Sequence, residues 1–162
     1  MGRPRRQSVS RTKVAHPTAS DLLFFAVRTW LPVILWMVAI FWGSSRSTLP
    51  GPLGSRSAWG EVSRSATHMG EYAILAALTY RALRKTSAAA RRSSFLTSHF
   101  SLLISILFPL LFALTDEWHQ SFVPGRQFDL RDLALDLVGV VAALSIQKTG
   151  IRIKNRGLST KD

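Results

Sequence analysis

Cysteine is absent from this 162-residue chain, so a disulfide framework, a thiolate zinc site and a cysteine nucleophile are all excluded. The chain also lacks an internal repeat, an H-E-x-x-H zinc motif, a G-x-S-x-G nucleophile elbow and a phosphate-binding glycine loop, which removes the enzyme classes that depend on them. Negative charge is scarce, with 9 Asp and Glu against 21 Lys and Arg and a net charge of +12. Residues 1–20 and 147–162 hold almost nothing able to form a core, and such segments are expected to be flexible, basic, solvent-exposed tails.

What the chain does have is long apolar runs. From Phe95 to Leu114 the only strongly polar side chain is His99, and about 20 apolar residues suffice to cross the roughly 30 Å hydrocarbon layer of a bilayer. A chain this short has no core large enough to hide such a segment in water. His99 itself, alone near one end of the run, is expected to make a hydrogen bond between helices. Pro109 removes a main-chain donor and is expected to kink this helix.

An excess of basic residues invites a nucleic-acid reading, yet their positions favour a membrane. Alternate segments between the apolar stretches carry 16 of the Lys and Arg residues, and the intervening ones carry 5. That asymmetry is the positive-inside pattern of a four-span protein with both termini in the cytoplasm. The expected fold is therefore all-α and polytopic, with spans near 22–42, 66–83, 95–114 and 130–146 and flexible tails at 1–20 and 147–162.

The first span is interrupted only by Arg28 and Thr29, and Arg28 lies where its stem can snorkel to headgroups. Trp30, Trp36 and Trp42 supply interfacial anchors. A cleaved signal peptide is the competing interpretation, but the charged leader is long and no A-x-A-like site follows Trp42. Gly43 to Ser65, with its Leu49-Pro50-Gly51-Pro52-Leu53-Gly54 run, is expected to be an external loop, with Trp59 placed near the interface. Residues 84–94 form a short basic cytoplasmic connection. In the fourth span, Gly139 and Ala143 offer a small-residue seam for close helix contact.

Polar residues gather where this topology places the outer face. The second helix begins there with His68, Glu71 and Tyr72, the third ends there with Asp116, Glu117, His119 and Gln120, and the fourth starts there with Asp132 and Asp136. Residues three and four apart share a helical face, so each segment directs a set rather than a scatter. Pro124-Gly125 supplies a turn that lets Arg126 fold back toward the carboxylates. Ionisable groups at membrane depth are costly and mark functional positions.

The chemistry of this set stays open. Crowded carboxylates with a His provide an acid and base pair. Glu71, Asp116, Glu117 and Asp136 with a His provide oxygen and nitrogen ligands for a divalent cation. Arg126 provides a clamp for the phosphate of a lipid headgroup or cell-wall precursor. The bland alternative is that the groups only pair with one another, Arg126 with Asp129 or Asp132 and His68 with a carboxylate, and tie helix ends together.

These residues carry a family resemblance running from Phe41 to about Gly139. Phe41-Trp42-Gly43-Ser44-Ser45 is similar to a Phe-x-x-Ser-Ser helix end. The stretch from Arg64 through His68-Met69-Gly70-Glu71-Tyr72-Ala73 is similar to a His-x-x-Glu-Tyr signature. Asp116-Glu117-x-His119-Gln120-x-Phe122-Val123-Pro124-Gly125-Arg126, followed by Asp132 and Asp136-x-x-Gly139, is similar to the most specific block of the VanZ-like family, small multi-pass bacterial membrane proteins named after a component of teicoplanin resistance. Two positions depart from the pattern. Arg46 stands where Gln often follows the paired serines, and Ser65 where a Lys commonly precedes the His by three residues, so no role of that Lys carries over.

The resemblance implies a protein of the bacterial cytoplasmic membrane and cell envelope, in contact with lipids. Its polar site is expected to bind or modify an envelope lipid or lipid-linked wall precursor, lowering sensitivity to teicoplanin-type glycopeptides. Whether it is an enzyme is left open, as is the identity of any cation. A non-enzymatic scaffold or partner subunit is the alternative. A transporter has little support, because four spans without repeats need oligomerisation to form a pathway.

Overall fold

The computed structural model describes residues 18–46, 58–90, 95–126 and 128–159. The N-terminal tail through residue 17, most of the expected external loop (47–57), the basic stretch 91–94 and the last residues 160–162 lie outside them, as does the side chain of Trp59. The described residues form four α-helices and no strand: α1 (Ala19–Ser44), α2 (Ala58–Ala89), α3 (Phe95–Gln120) and α4 (Leu130–Ser159).

Local chemistry accounts for the helix ends. Thr18 caps α1, its hydroxyl accepting from the Asp21 N–H at 3.3 Å while the Thr18 N–H donates to the Asp21 carboxylate at 3.0 Å, a reciprocal box that satisfies otherwise orphaned donors. Asp129 caps α4, its Oδ1 accepting from the Arg131 N–H at 2.8 Å. Between α3 and α4, the Arg126 N–H reaches the Val123 carbonyl at 3.1 Å and Gly125 has φ 84°. Pro124 followed by a positive-φ Gly is the pattern of a type II turn, a conformation closed to most residues at the second position.

The helices run longer than the expected spans. α2 begins at Ala58, inside the segment expected to be loop, because the Pro-Gly punctuation ends at Gly54 and the Ser residues beyond it do not stop a helix. α2 also continues through Arg84 and Lys85, and α4 continues past Ile146 to Ser159. At 1.5 Å per residue these two helices are about 48 Å and 45 Å long, more than a bilayer core requires. Their charged ends extend beyond the apolar middle.

Within the described residues α2 packs against each of the other three helices, most extensively against α4, and α1 does not touch α4. The α2–α4 approach depends on Gly139, where an added Cβ would collide with the main-chain carbonyl of Met69. The expected small-residue seam is thus present, with helix backbone against glycine. Val33 and Ile40 of α1, Leu75, Ala76 and Tyr80 of α2, Ala113 of α3, and Val140 and Leu144 of α4 form the buried core.

Large apolar side chains are exposed while several polar ones are buried. Leu23, Phe24, Leu35, Val38 and Trp42 on α1, Phe100, Leu103 and Leu111 on α3, and Val138 and Val141 on α4 are all exposed, whereas His68, Ser105, Asp116, Glu117, Asp132 and Asp136 are buried. The two most apolar helical windows, in Ala19–Ser44 and Ser98–Gln120, are only 17% and 22% buried. A helix in the core of a soluble protein would be mostly covered. Long apolar helices with bare apolar faces are those of a membrane protein.

Candidate functional site

Successive helices alternate in direction, so the C-termini of α1 and α3 meet the N-terminal portions of α2 and α4 at one end of the bundle. Of the chain's 9 acidic residues, Glu61, Glu71, Asp116, Glu117, Asp132 and Asp136 belong to these portions, and Asp129 immediately precedes α4. The end divides into two connected halves.

One half is a chain of satisfied hydrogen bonds. Ser44 of α1 donates to Asp116 Oδ2 at 2.7 Å, and Gln120 Nε2 donates to the same oxygen at 2.8 Å. Arg126 then donates to Gln120 Oε1 at 2.8 Å. Folding back of Arg126 is as expected, but its partner is an amide rather than Asp129 or Asp132. Beside this chain Ser45 Oγ lies 3.1 Å from His119 Nε2, and the His119 ring stacks on Phe41 with centroids 4.3 Å apart.

The other half surrounds His68. Its Nε2 lies 3.7 Å from Asp132 Oδ2 and its Nδ1 lies 3.6 Å from Asp136 Oδ1. Glu117 approaches from α3, its Oε2 held by the Asp129 N–H at 3.1 Å. His68, Glu117 and Asp132 each present a ligand atom within 4.8 Å of the others, and all three residues are buried. Of the ligands expected from sequence this group holds Glu117 and a histidine, joined by Asp132; Glu71, Asp116 and Asp136 are not in it, and Asp116 is engaged by Ser44 and Gln120. Nitrogen and carboxylate ligands in this group suit a transition-metal ion.

Among the described residues, the ion pairs that a guanidinium makes with the cluster are at its rim. Arg64, with a side chain 55% exposed, lies 3.7 Å from Asp132 and 3.9 Å from Asp129, and it takes the ion-pair position expected of Arg126. Among the described residues no Lys or Arg donates a hydrogen bond to Glu117, Asp132 or Asp136.

Buried polar groups are normally paired. Here His68 Nδ1, Tyr72 Oη, Asp116 Oδ1, Glu117 Oε1 and both oxygens of Asp136 are buried without a hydrogen-bond partner. Tyr72 is packed against Phe112, with ring centroids 6.4 Å apart, so its hydroxyl is carried beneath the acidic cluster by core packing. Elsewhere Thr79 Oγ1 is also unpartnered. The rest are concentrated at one end of the bundle.

Two further features border the site. Trp118 and Phe122 are exposed at its lip, in edge-to-face contact at 5.5 Å. An apolar groove of about 410 Å³ runs between α3 and α4, lined by Leu107, Leu110, Leu111, Leu114, Leu133 and Leu137 among others. Its upper end lies at the level of the acidic cluster, since Leu114 and Leu130 each precede a site carboxylate by two residues.

The expected residues of all three segments thus share one end of the bundle. His119 and Gln120 act there through Ser45 and Asp116. Ser44, Ser45 and Arg64 were not among the expected site residues. Their signal was the resemblance of Phe41 to Ser45 and of the stretch beginning at Arg64, since Ser and Arg at helix ends carry no distinguishing periodicity. Arg46, one of the two departures, lies 3.7 Å over the Trp42 ring. His99 lines a small cleft with Tyr80, Leu102 and Lys148.

A protein-family model, VanZ/LLP1, matches residues 25–151. No curated protein and no solved structure matches the chain.

Proposed function

The chain belongs to the VanZ/LLP1 family, and from that premise we propose that it is a four-span protein of the bacterial cytoplasmic membrane whose outward-facing polar site binds or modifies an envelope lipid or lipid-linked wall precursor. The observation that carries this reading is the concentration of unpartnered buried groups of His68, Tyr72, Asp116, Glu117 and Asp136 at one end of a bundle with an apolar exterior. Unsatisfied buried polar groups cost about 1–3 kcal/mol each, more when charged, and persist where function requires them.

Orientation follows from charge. Arg81, Arg84, Lys85 and Lys148 lie toward the opposite end of α2 and α4, and the positive-inside rule assigns that end to the cytoplasm. The acidic end then faces outward, with both termini inside.

The α3–α4 groove favours an amphiphile. A polar headgroup meets Arg126, His68 and the carboxylates, while an acyl or polyprenyl chain lies along Leu107, Leu111 and Leu137. Trp118 and Phe122 at the lip sit where aromatic rings prefer the membrane interface. In this reading Glu117 is the base or cation ligand, His68 the proton carrier and Arg126 the anion clamp. The family's link with teicoplanin then reflects occupancy or alteration of a precursor that the drug also meets.

A second reading draws on the Ser44–Asp116–Gln120–Arg126 chain, whose satisfied bonds tie α1 to α3 and the following turn. In a non-enzymatic scaffold or partner subunit that tie is the purpose of the site. The two readings separate on Glu117→Gln, expressed beside the wild type at matched membrane abundance in a glycopeptide-susceptible bacterium. Growth inhibition by teicoplanin and vancomycin is measured. A functional site predicts teicoplanin protection by the wild type that the variant loses; a scaffold predicts protection that follows abundance alone. Absence of protection from well-inserted wild type overturns the resistance assignment.

A further inference from the structure

We propose that His68, Glu117 and Asp132 form a binding site for one divalent transition-metal ion, Zn²⁺ or Mn²⁺, with Asp136 as the outer carboxylate that orients the histidine. The inference rests on reading this end of the bundle as a site rather than a pin.

Geometry comes first. The three residues come from three helices, α2, α3 and α4, and their ligand atoms lie within 4.8 Å of one another. Ligands about 2.1 Å from a tetrahedral metal sit about 3.4 Å apart, so closure around an ion requires side-chain shifts of under about 1 Å each. α2 and α4 are fixed against each other by the Gly139–Met69 contact, which holds His68 and Asp132 in register.

The histidine is arranged as metal-bound histidines commonly are. One ring nitrogen faces a carboxylate that takes its proton-bearing side, leaving the other nitrogen's lone pair for the ion. Here Nδ1 faces Asp136 at 3.6 Å and Nε2 faces Asp132 at 3.7 Å. Asp136 is fully buried, and beyond the 3.6 Å approach of His68 Nδ1 neither of its oxygens has a hydrogen-bond partner. Glu117 is 1% exposed and divided in role: Oε2 holds the α4 N-cap through the Asp129 N–H, and Oε1 is left unpartnered.

Charge supplies the second reason. Three buried carboxylates, Glu117, Asp132 and Asp136, surround one histidine, and the nearest guanidinium, Arg64, is exposed and beyond hydrogen-bonding distance. A bound cation would supply a counterion to this excess of buried carboxylate. An imidazole ligand disfavours Mg²⁺ and Ca²⁺, which take oxygen. Three protein ligands leave a coordination position open, the arrangement of sites that polarise a bound water or a phosphate oxygen rather than of closed structural sites. A lipid-linked phosphate is the group such a position suits.

The test uses full-length protein purified in detergent, stripped with chelator, exchanged against ZnCl₂, MnCl₂ or MgCl₂, and dialysed before metal content and thermal unfolding are measured. The wild type is expected to retain an equimolar amount of Zn²⁺ or Mn²⁺ and to unfold at higher temperature with it; Mg²⁺ is expected to do neither. Glu117→Gln/Asp132→Asn loses the ion while keeping its helical circular dichroism, and Asp136→Asn binds about 10–100-fold more weakly, as loss of an outer carboxylate does. A stripped and reloaded wild type with no equimolar ion overturns the proposal, as does equal loading of the double variant. The wild-type arm decides the matter if a variant fails to fold. An ion held without teicoplanin protection supports this site and counts against the proposed function alone; protection by a protein that holds no ion does the reverse.

Discussion

Gly139 of α4 lies against the main-chain carbonyl of Met69 on α2, with no room for a Cβ between them. Because Met69 follows His68, and Asp136 precedes Gly139 by one helical turn, the contact that joins the helices also sets the distance between the histidine and its carboxylates. Packing and site are one structure here.

Gly139→Ala is therefore expected to destabilise the protein by about 1–3 kcal/mol, the usual penalty for overpacking, since a helix backbone cannot yield as a side-chain tip can. Gly70→Ala is the control. A Cβ there meets nothing within 4 Å, and replacing a helical glycine should stabilise by about 0.5–1 kcal/mol. Unfolding in detergent, followed by circular dichroism, compares the two, and equal effects would contradict the close approach.

Ser44→Ala removes one of two donors to Asp116 Oδ2, on a residue whose Oδ1 is already unpartnered. The expected loss is about 1–3 kcal/mol. Ser145→Ala, which removes only a bond to its own helix's Val141 carbonyl on an exposed surface, is expected to stay within about 0.5 kcal/mol of the wild type. The same unfolding measurement reads both.

Arg126 and Gln120 should be energetically coupled. Gln120 bridges Arg126 to Asp116, so Arg126→Ala and Gln120→Ala break the same path at 2.8 Å contacts. A double-mutant cycle is expected to give a coupling of about 0.5–3 kcal/mol. Additive losses would mean that the turn holds Arg126 independently of the glutamine.

Trp36 anchors α1 to α2 by donating from Nε1 to the Glu71 carbonyl at 2.9 Å. Trp36→Phe keeps most of the apolar contact and removes the donor, at an expected cost of about 1 kcal/mol. Since Glu71 sits one turn from His68, metal loading of the stripped protein should be measured in parallel. Unchanged loading with lowered stability would confine Trp36 to packing.

Periodicity and hydropathy along the chain were enough to specify four helices, two of them apolar enough to cross a membrane, and the grouping of His68, Asp116, Glu117, Asp132 and Asp136 at one end. Those properties are one-dimensional: apolar length, turn chemistry at Pro124-Gly125, charge bias and alternation of direction. Helix ends were less legible, because Ala58 to Ser65 contains no residue that forbids a helix and none that demands one. Partner choice lay beyond the chain altogether. That Arg126 takes Gln120, that Arg64 takes the rim position, that Ser44 takes Asp116, and that Asp132 rather than Glu71 joins His68 and Glu117 depends on rotation about each helix axis. The rotation is set by contacts such as Gly139 on Met69. Distances of a few ångströms between side chains on different helices exist only once that packing is in place.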